Sequence, residues 1–148
     1  MSHSTFSALP DELHLLAVNC VYVLRRAIAE HPAEPLRCCF VGNLSSKKEE
    51  LLMFDSVSAT SLQEDAMEAH LRAQALDADY VVTVLDLPGP PRNALVGIET
   101  CEATYQCVFP VVRKSPRTQN LKLGRAAFTR CKELPGPFDG LLPRRGSS

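Results

Sequence analysis

Tyr80-Val81-Val82-Thr83-Val84-Leu85 is the stretch that decides the fold. Four of its six residues are β-branched, a residue type that is enriched in strands. Its near-continuous apolar character predicts a central strand of a sheet. The proline-rich sequence Pro88-Gly89-Pro90-Pro91 follows, which extends neither a helix nor a strand, so the strand must end before it.

Further strands are predicted on both sides of this run. After the proline-rich break, residues 94–98 and 105–112 are apolar runs of strand length. Before it, residues 36–41 and 51–57 are predicted to pair as an antiparallel hairpin around a polar loop. Residues 121–128 are a candidate for one more strand.

Two amphipathic helices are predicted. The first begins at Pro10, places Asp11 and Glu12 at the positive end of the helix dipole, and runs to about Ala29. The second begins at Ser61-Leu62-Gln63-Glu64, which has the form of a capping box. The order is therefore helix, two strands, helix, and then three or four strands.

Runs of consecutive strands predict the α+β class, with a single largely antiparallel sheet of about five strands and both helices packed on one face. The length of 148 residues predicts one compact core. We expect residues 1–134 to form this single domain. Residues 135–148, rich in Pro, Gly and Arg, are expected to form a flexible C-terminal tail.

Charge is sorted along the chain. Residues 1–112 hold 7 Lys and Arg against 15 Asp and Glu, whereas residues 113–148 hold 9 against 2. Such a basic segment favours nucleic acid, an acidic protein partner, or the acidic body of a second copy. The predicted binding residues are Arg113, Lys114, Arg117, Lys122, Arg125, Arg130 and Lys132.

The sequence also predicts a compartment. The first ten residues lack the pattern of an export signal, and no apolar stretch approaches the ~18 residues of a membrane helix. We therefore expect a cytoplasmic protein without a membrane partner, whose six cysteines are reduced. The vicinal thiols of Cys38 and Cys39 would point to opposite sides of a strand.

Acidic residues provide one candidate for catalysis. Asp86 ends one predicted strand, and Glu99 and Glu102 lie in or after the next, so the three carboxylates are candidates for a Mg²⁺ or Mn²⁺ site of a hydrolase or nuclease. Some metal-dependent nucleases use a Lys two residues after the Glu, where this chain has Cys101. The alternative is that these carboxylates simply face solvent.

Cysteine and histidine provide a second candidate. No Cys-x-x-Cys or His-x-x-x-His spacing is present, so no zinc site is predicted, and apart from the carboxylate alternative above neither a metal nor a cofactor is expected. A nucleophile and base pair such as Cys101 with His70 stays open, because such partners need to be close only in space. The commoner role of these residues is packing or surface.

The interpretation that these patterns favour is a small, non-catalytic binding or regulatory domain. It would contact another protein or a second copy of itself through the outer face of the sheet and the basic terminal segment. The alternatives are the metal-dependent hydrolase of Asp86, Glu99 and Glu102, and a nucleic-acid binder that uses the basic residues.

Overall fold

The computed structural model describes residues 5–34, 36–54, 59–87, 89, 91–118, 120–134 and 138–142. Within these residues the chain forms two helices and seven strands. In chain order the elements are α1 (Asp11–Glu30), β1 (Arg37–Gly42), β2 (Glu49–Met53), α2 (Ala59–Leu76), β3 (Tyr80–Leu87), β4 (Asn93–Thr100), β5 (Thr104–Arg113), β6 (Leu121–Leu123) and β7 (Thr129–Cys131).

The strands form one antiparallel sheet in the order β2-β1-β3-β4-β5-β6, and β7 pairs with the other end of β5. β3 lies between β1 and β4, in register with β4 from Tyr80↔Thr100 to Leu87↔Asn93. The predicted α+β class, antiparallel sheet and central strand are confirmed. The described sheet exceeds the expected five strands because it includes two short ones: β6, which occupies the first three residues of the candidate strand 121–128, and β7, whose three residues were too few to predict from the sequence.

The two helices pack on opposite faces of the sheet, whereas the sequence predicted one shared face. Buried residues of α1 share a core cluster, here the α1 cluster, with Val82 and Val84. Those of α2 share a second one, the α2 cluster, with Val81 and Leu85. Successive residues of a strand point to opposite faces, so the two clusters lie on the two sides of the sheet. The physical reason is that a strand apolar at nearly every position needs cover on both faces.

Two consequences follow from this arrangement. As far as the structure describes them, the central strands have no bare face for a partner, so the outer sheet face expected from the sequence is covered. Cys38 belongs to the α1 cluster and Cys39 to the α2 cluster, which confirms that the vicinal thiols point to opposite sides. None of the six cysteines, all of which lie in the described residues, forms a disulfide bond.

α1 crosses its face of the sheet diagonally. Glu12 and Leu15, near its start, share a groove with Leu44 in the loop between β1 and β2. Tyr22 and Arg25, further along, share another groove with β6. The helix therefore extends from the β2 side of the sheet to the β6 side.

The helix ends agree with the sequence in part. α1 follows Pro10 directly and has Asp11 and Glu12 in its first turn, as predicted. α2 begins at Ala59, two residues before the predicted capping box, and the side chain of Ser61 lies outside the described part of the chain. None of the described helices is long and apolar enough to cross a membrane.

The C-terminal segment, residues 138–142, packs into the α2 cluster. Phe138 is 1% exposed, and its ring centroid lies 5.9 Å from that of Phe54. Leu141 and Leu142 are also buried. Part of the stretch that the sequence assigned to a tail therefore completes the core beside α2.

Candidate functional site

Asp86 is buried at the end of β3 and forms a bidentate ion pair with Arg92. Arg92 Nε donates to Asp86 Oδ1 at 2.9 Å, and Arg92 Nη2 donates to Asp86 Oδ2. Donating these hydrogen bonds to Asp86 raises the pKa of Arg92. Arg92 also donates from Nη1 to the carbonyl oxygen of Pro32 at 2.5 Å, so the pair fastens the loop after α1 to the loop after β3.

Glu99 is 1% exposed and holds the C-terminal segment. Its Oε1 accepts a hydrogen bond from the backbone N–H of Leu141 at 3.0 Å, and its Oε2 accepts one from Leu142 at 2.8 Å. A buried carboxylate needs such charge-assisted bonds. Glu102 is exposed in the next turn, where its N–H donates to Thr100 Oγ1 at 3.2 Å.

The structure does not bring Asp86, Glu99 and Glu102 together. In the sheet register Asp86 is opposite Ala94, whereas Glu99 is opposite Val81. Five residues along a strand separate these positions by roughly 17 Å. Across the described residues, no group of three or more His, Cys, Asp or Glu side chains is placed to hold a metal ion.

The predicted basic residues separate into two groups. β6 pairs with residues 111–113 of β5, and β7 pairs with residues 104–106, so the two short strands lie roughly 24 Å apart along β5. The first group lies near β6: Arg113, Lys114, Arg117, Lys122 and Arg125. The second group lies on β7 and just after it: Arg130 and Lys132. All seven side chains are exposed.

Two further cations join the first group from α1. Arg25 and Arg26 line a groove of about 500 Å³ together with Lys114 and Lys122, here called the basic groove. Arg25 and Arg26 are not among the binding residues predicted from the sequence, because their proximity to β6 depends on the tertiary fold. In the described residues Arg26 pairs with Glu30, whereas the other three cations have no carboxylate partner.

The outer surface of α1 is apolar beside this groove. Leu15 is 72% exposed and Tyr22 is 57% exposed; exposed Val18 lies between them and exposed Val23 follows Tyr22. The Arg26 guanidinium carbon lies 5.9 Å from the centroid of the Tyr22 ring, so the cation covers one end of the stripe. Contiguous exposed apolar side chains next to charge are typical of protein-binding surfaces.

The outer surface of α2 has the opposite charge. Met67 and Leu71 are each more than half exposed, and they lie one helical turn apart. Glu64 and Glu68 are exposed beside them, without a described partner. Arg72 pairs with Glu50 of β2, with 3.2 Å between Arg72 Nε and Glu50 Oε2.

Cys101 and His70 line one cavity of about 750 Å³ at the end of α2. Residues from the loop after β1, from the link between α2 and β3, and from the C-terminal segment complete its wall. Cys101 and His70, the pair that the sequence left open, therefore line the same cavity. No hydrogen bond between the two side chains is seen in the described residues.

Comparison of this chain with protein-family models, with curated proteins and with solved structures gives no match.

Proposed function

We propose that this chain is a non-catalytic binding domain of the cytosol that assembles with further copies of itself. The α1 surface, comprising the apolar stripe and the basic groove, would dock on the α2 surface of the next copy. The exposed stripe from Leu15 to Tyr22, which ends beside the cations of the basic groove, is the observation that carries the proposal.

Charge complementarity supports a second copy as the occupant. Arg25 and Lys122 flank apolar side chains on the α1 surface, and Glu64 and Glu68 flank Met67 and Leu71 on the α2 surface. Complementary charges bring two surfaces together and fix their register, while the apolar side chains supply burial. Both kinds of interaction are thus available between one helix and the other.

The placement of the two helices sets the type of assembly. The α1 and α2 surfaces lie on opposite sides of the sheet, so a copy bound on one side leaves the other side open. Such a head-to-tail contact produces rings when it closes and filaments when it does not. We therefore expect assemblies that grow with concentration and that dissociate as salt screens the charges.

Two charge reversals test this pairing. Variant A carries Arg25→Glu and Lys122→Glu, and variant B carries Glu64→Lys and Glu68→Lys. Each has like charges on both surfaces, so each alone should associate at least about tenfold more weakly than the unmodified chain. In an equimolar mixture, every contact between A and B has opposite charges, so the mixture should assemble again. Light scattering or sedimentation measures all three samples.

The matched control changes the same charge elsewhere: Arg130→Glu with Lys132→Glu should assemble like the unmodified chain. A monomeric unmodified chain at all concentrations, or an A and B mixture that stays dissociated, would overturn the proposal. A generic oligonucleotide at low salt completes the test. If it binds the unmodified chain but not variant A, while no self-association is seen, the basic groove is a nucleic-acid site instead.

A further inference from the structure

The cavity beside the end of α2 has the size of a small-molecule site. Its volume of about 750 Å³ falls in the usual range for bound ligands, roughly 300–1,000 Å³. Four separate parts of the chain form its wall. They are the loop after β1, the end of α2 with the link to β3, the turn after β4, and the C-terminal segment. None of the residues named above for the two helix surfaces lines this cavity.

A chain of hydrogen bonds fixes the orientation of His70 in this wall. Its Nδ1 lies 3.1 Å from the carbonyl oxygen of Leu141. A carbonyl oxygen only accepts, so Nδ1 is the donor, and Nε2 is the nitrogen that accepts a proton in the neutral ring. Nε2 has no hydrogen-bond partner in the described part of the chain. Leu141 is itself held by the buried carboxylate of Glu99.

Cys101 differs from the other cysteines in its surroundings. Burial raises the pKa of the Cys38 thiol and of the Cys107 thiol to about 12, which keeps both protonated and unreactive near neutral pH. Cys20 and Cys39 are similarly enclosed. Cys101 is also buried, at 8% exposed, but it lines the cavity, in the turn after β4 that Thr100 stabilises by accepting from the N–H of Ala103 at 3.0 Å.

Two carboxylates determine which ligands the cavity accepts. Asp77 and Asp79 line it, and Asp79 Oδ1 accepts a hydrogen bond from the N–H of Leu44 at 2.9 Å. The structure places no Lys or Arg in the described lining. An anionic molecule is therefore repelled, whereas an uncharged or cationic one is not.

We propose that this cavity binds a small uncharged or cationic electrophile, and that the Cys101 thiol adds to it while His70 Nε2 takes the thiol proton. With an α,β-unsaturated carbonyl compound, the sulfur forms a bond to the β-carbon and the C=C π bond is lost. The proton then passes from His70 to the α-carbon. The addition has no leaving group and needs no oxidant.

Acrylamide is the probe for this addition, and mass spectrometry of the full chain under native conditions locates the adduct. Side-chain exposure alone favours Cys131, which is only half-buried. We expect Cys101 to react about tenfold faster than Cys131 because it has a proton acceptor in the same cavity. Faster labelling of Cys131 than of Cys101 would overturn the proposal.

His70→Asn separates the role of the base from that of the hydrogen bond. An Asn side chain can still donate an N–H to Leu141, but it cannot take a proton. The rate at Cys101 should fall about tenfold, while the rate at Cys131 and the melting temperature stay unchanged. An unchanged rate at Cys101 contradicts the role of His70.

Ligand charge gives a second readout. Iodoacetamide and iodoacetate are alkylating agents of similar size, but iodoacetamide is uncharged and iodoacetate is anionic. The ratio of the iodoacetate rate to the iodoacetamide rate should be lower at Cys101 than at Cys131, which lies between Arg130 and Lys132. Asp77→Asn with Asp79→Asn should raise this ratio several-fold at Cys101 alone. If the rate ratio at Cys101 is unchanged in the variant without the two carboxylates, the proposed selection against anionic ligands is wrong.

Discussion

The two faces of the sheet are filled by different means. On one face α1 buries large side chains, among them Leu13, Leu24 and Ile28, against the strands. On the other face α2 contributes Ala66, Ala69 and Ala73, and the C-terminal segment adds Phe138 and two leucines. Small residues allow close approach but bury little area. The α2 face therefore depends on the C-terminal segment for large apolar side chains that the alanine-rich face of α2 does not supply.

Two phenylalanines allow a matched test of this difference, and the larger effect is expected on the α1 face. Phe128 is 1% exposed in the α1 cluster, with its ring centroid 6.0 Å from that of Phe6. Phe128→Ala should lower the free energy of unfolding by about 3–5 kcal/mol, because it leaves a cavity in a core that cannot rearrange locally. Denaturant unfolding measures it, and a loss below about 1 kcal/mol would contradict this reading.

Phe138 is equally buried, but it belongs to the C-terminal segment. Phe138→Ala should lower the global free energy of unfolding less, by about 2–3 kcal/mol, because the segment can detach while the sheet persists. Hydrogen exchange should show faster exchange at the N–H groups of Leu141 and Leu142. If exchange accelerates equally throughout the chain, the segment is not a separate unit.

Raising the pH above 9 should lower the free energy of unfolding through Cys38, which lies on the α1 face. Burial raises the pKa of its thiol to about 12 from the ordinary value of 9.0. The folded state therefore keeps a proton that the unfolded state loses. The contribution of this thiol is complete below pH 9 and is lost as pH rises towards 12, with a slope of about 1.4 kcal/mol per pH unit. Unfolding curves of Cys38→Ala should show a correspondingly weaker dependence on pH in this window.

The smallest effect is expected at the end of α2. Asp77 has a φ of 51°, and the N–H of Ala78 donates to the carbonyl oxygen of Ala73 at 2.9 Å. In helix ends of this type, glycine is the usual residue at the position that Asp77 occupies. Asp77→Gly should stabilise the fold by up to about 1 kcal/mol by relieving this backbone strain. A shift of the melting temperature measures it, and Asp77→Ala, with the strain kept and the carboxylate removed, is the control.

The main features of the sheet were predictable because they depend on local patterns. A run such as Tyr80–Leu85 has a single favourable environment, the middle of a sheet, and the proline-rich break after it marks the end of the strand. The same run is apolar at positions that point to both faces, yet both helices were predicted on one shared face. Which helix covers which face depends on connections between distant elements, and no local pattern contains that information.

The candidate sites were less predictable for a related reason. Asp86 and Glu99 have the sequence signature of carboxylates on a strand, but their partners are a guanidinium across a loop and two backbone N–H groups far along the chain. The basic groove combines Arg25 with Lys122, residues separated by most of the chain. Such sites arise only when the tertiary fold brings the elements together.

The hydrogen bonds of Glu99 have a consequence during synthesis of the protein. Residues 138–142 leave the ribosome after every strand of the sheet has been made. Until Leu142 has been added, a growing chain has a carboxylate beside the α2 face without these two amide donors, and Phe54 without its aromatic neighbour. The α2 half of the core therefore closes last, and a chain arrested before this point would expose it.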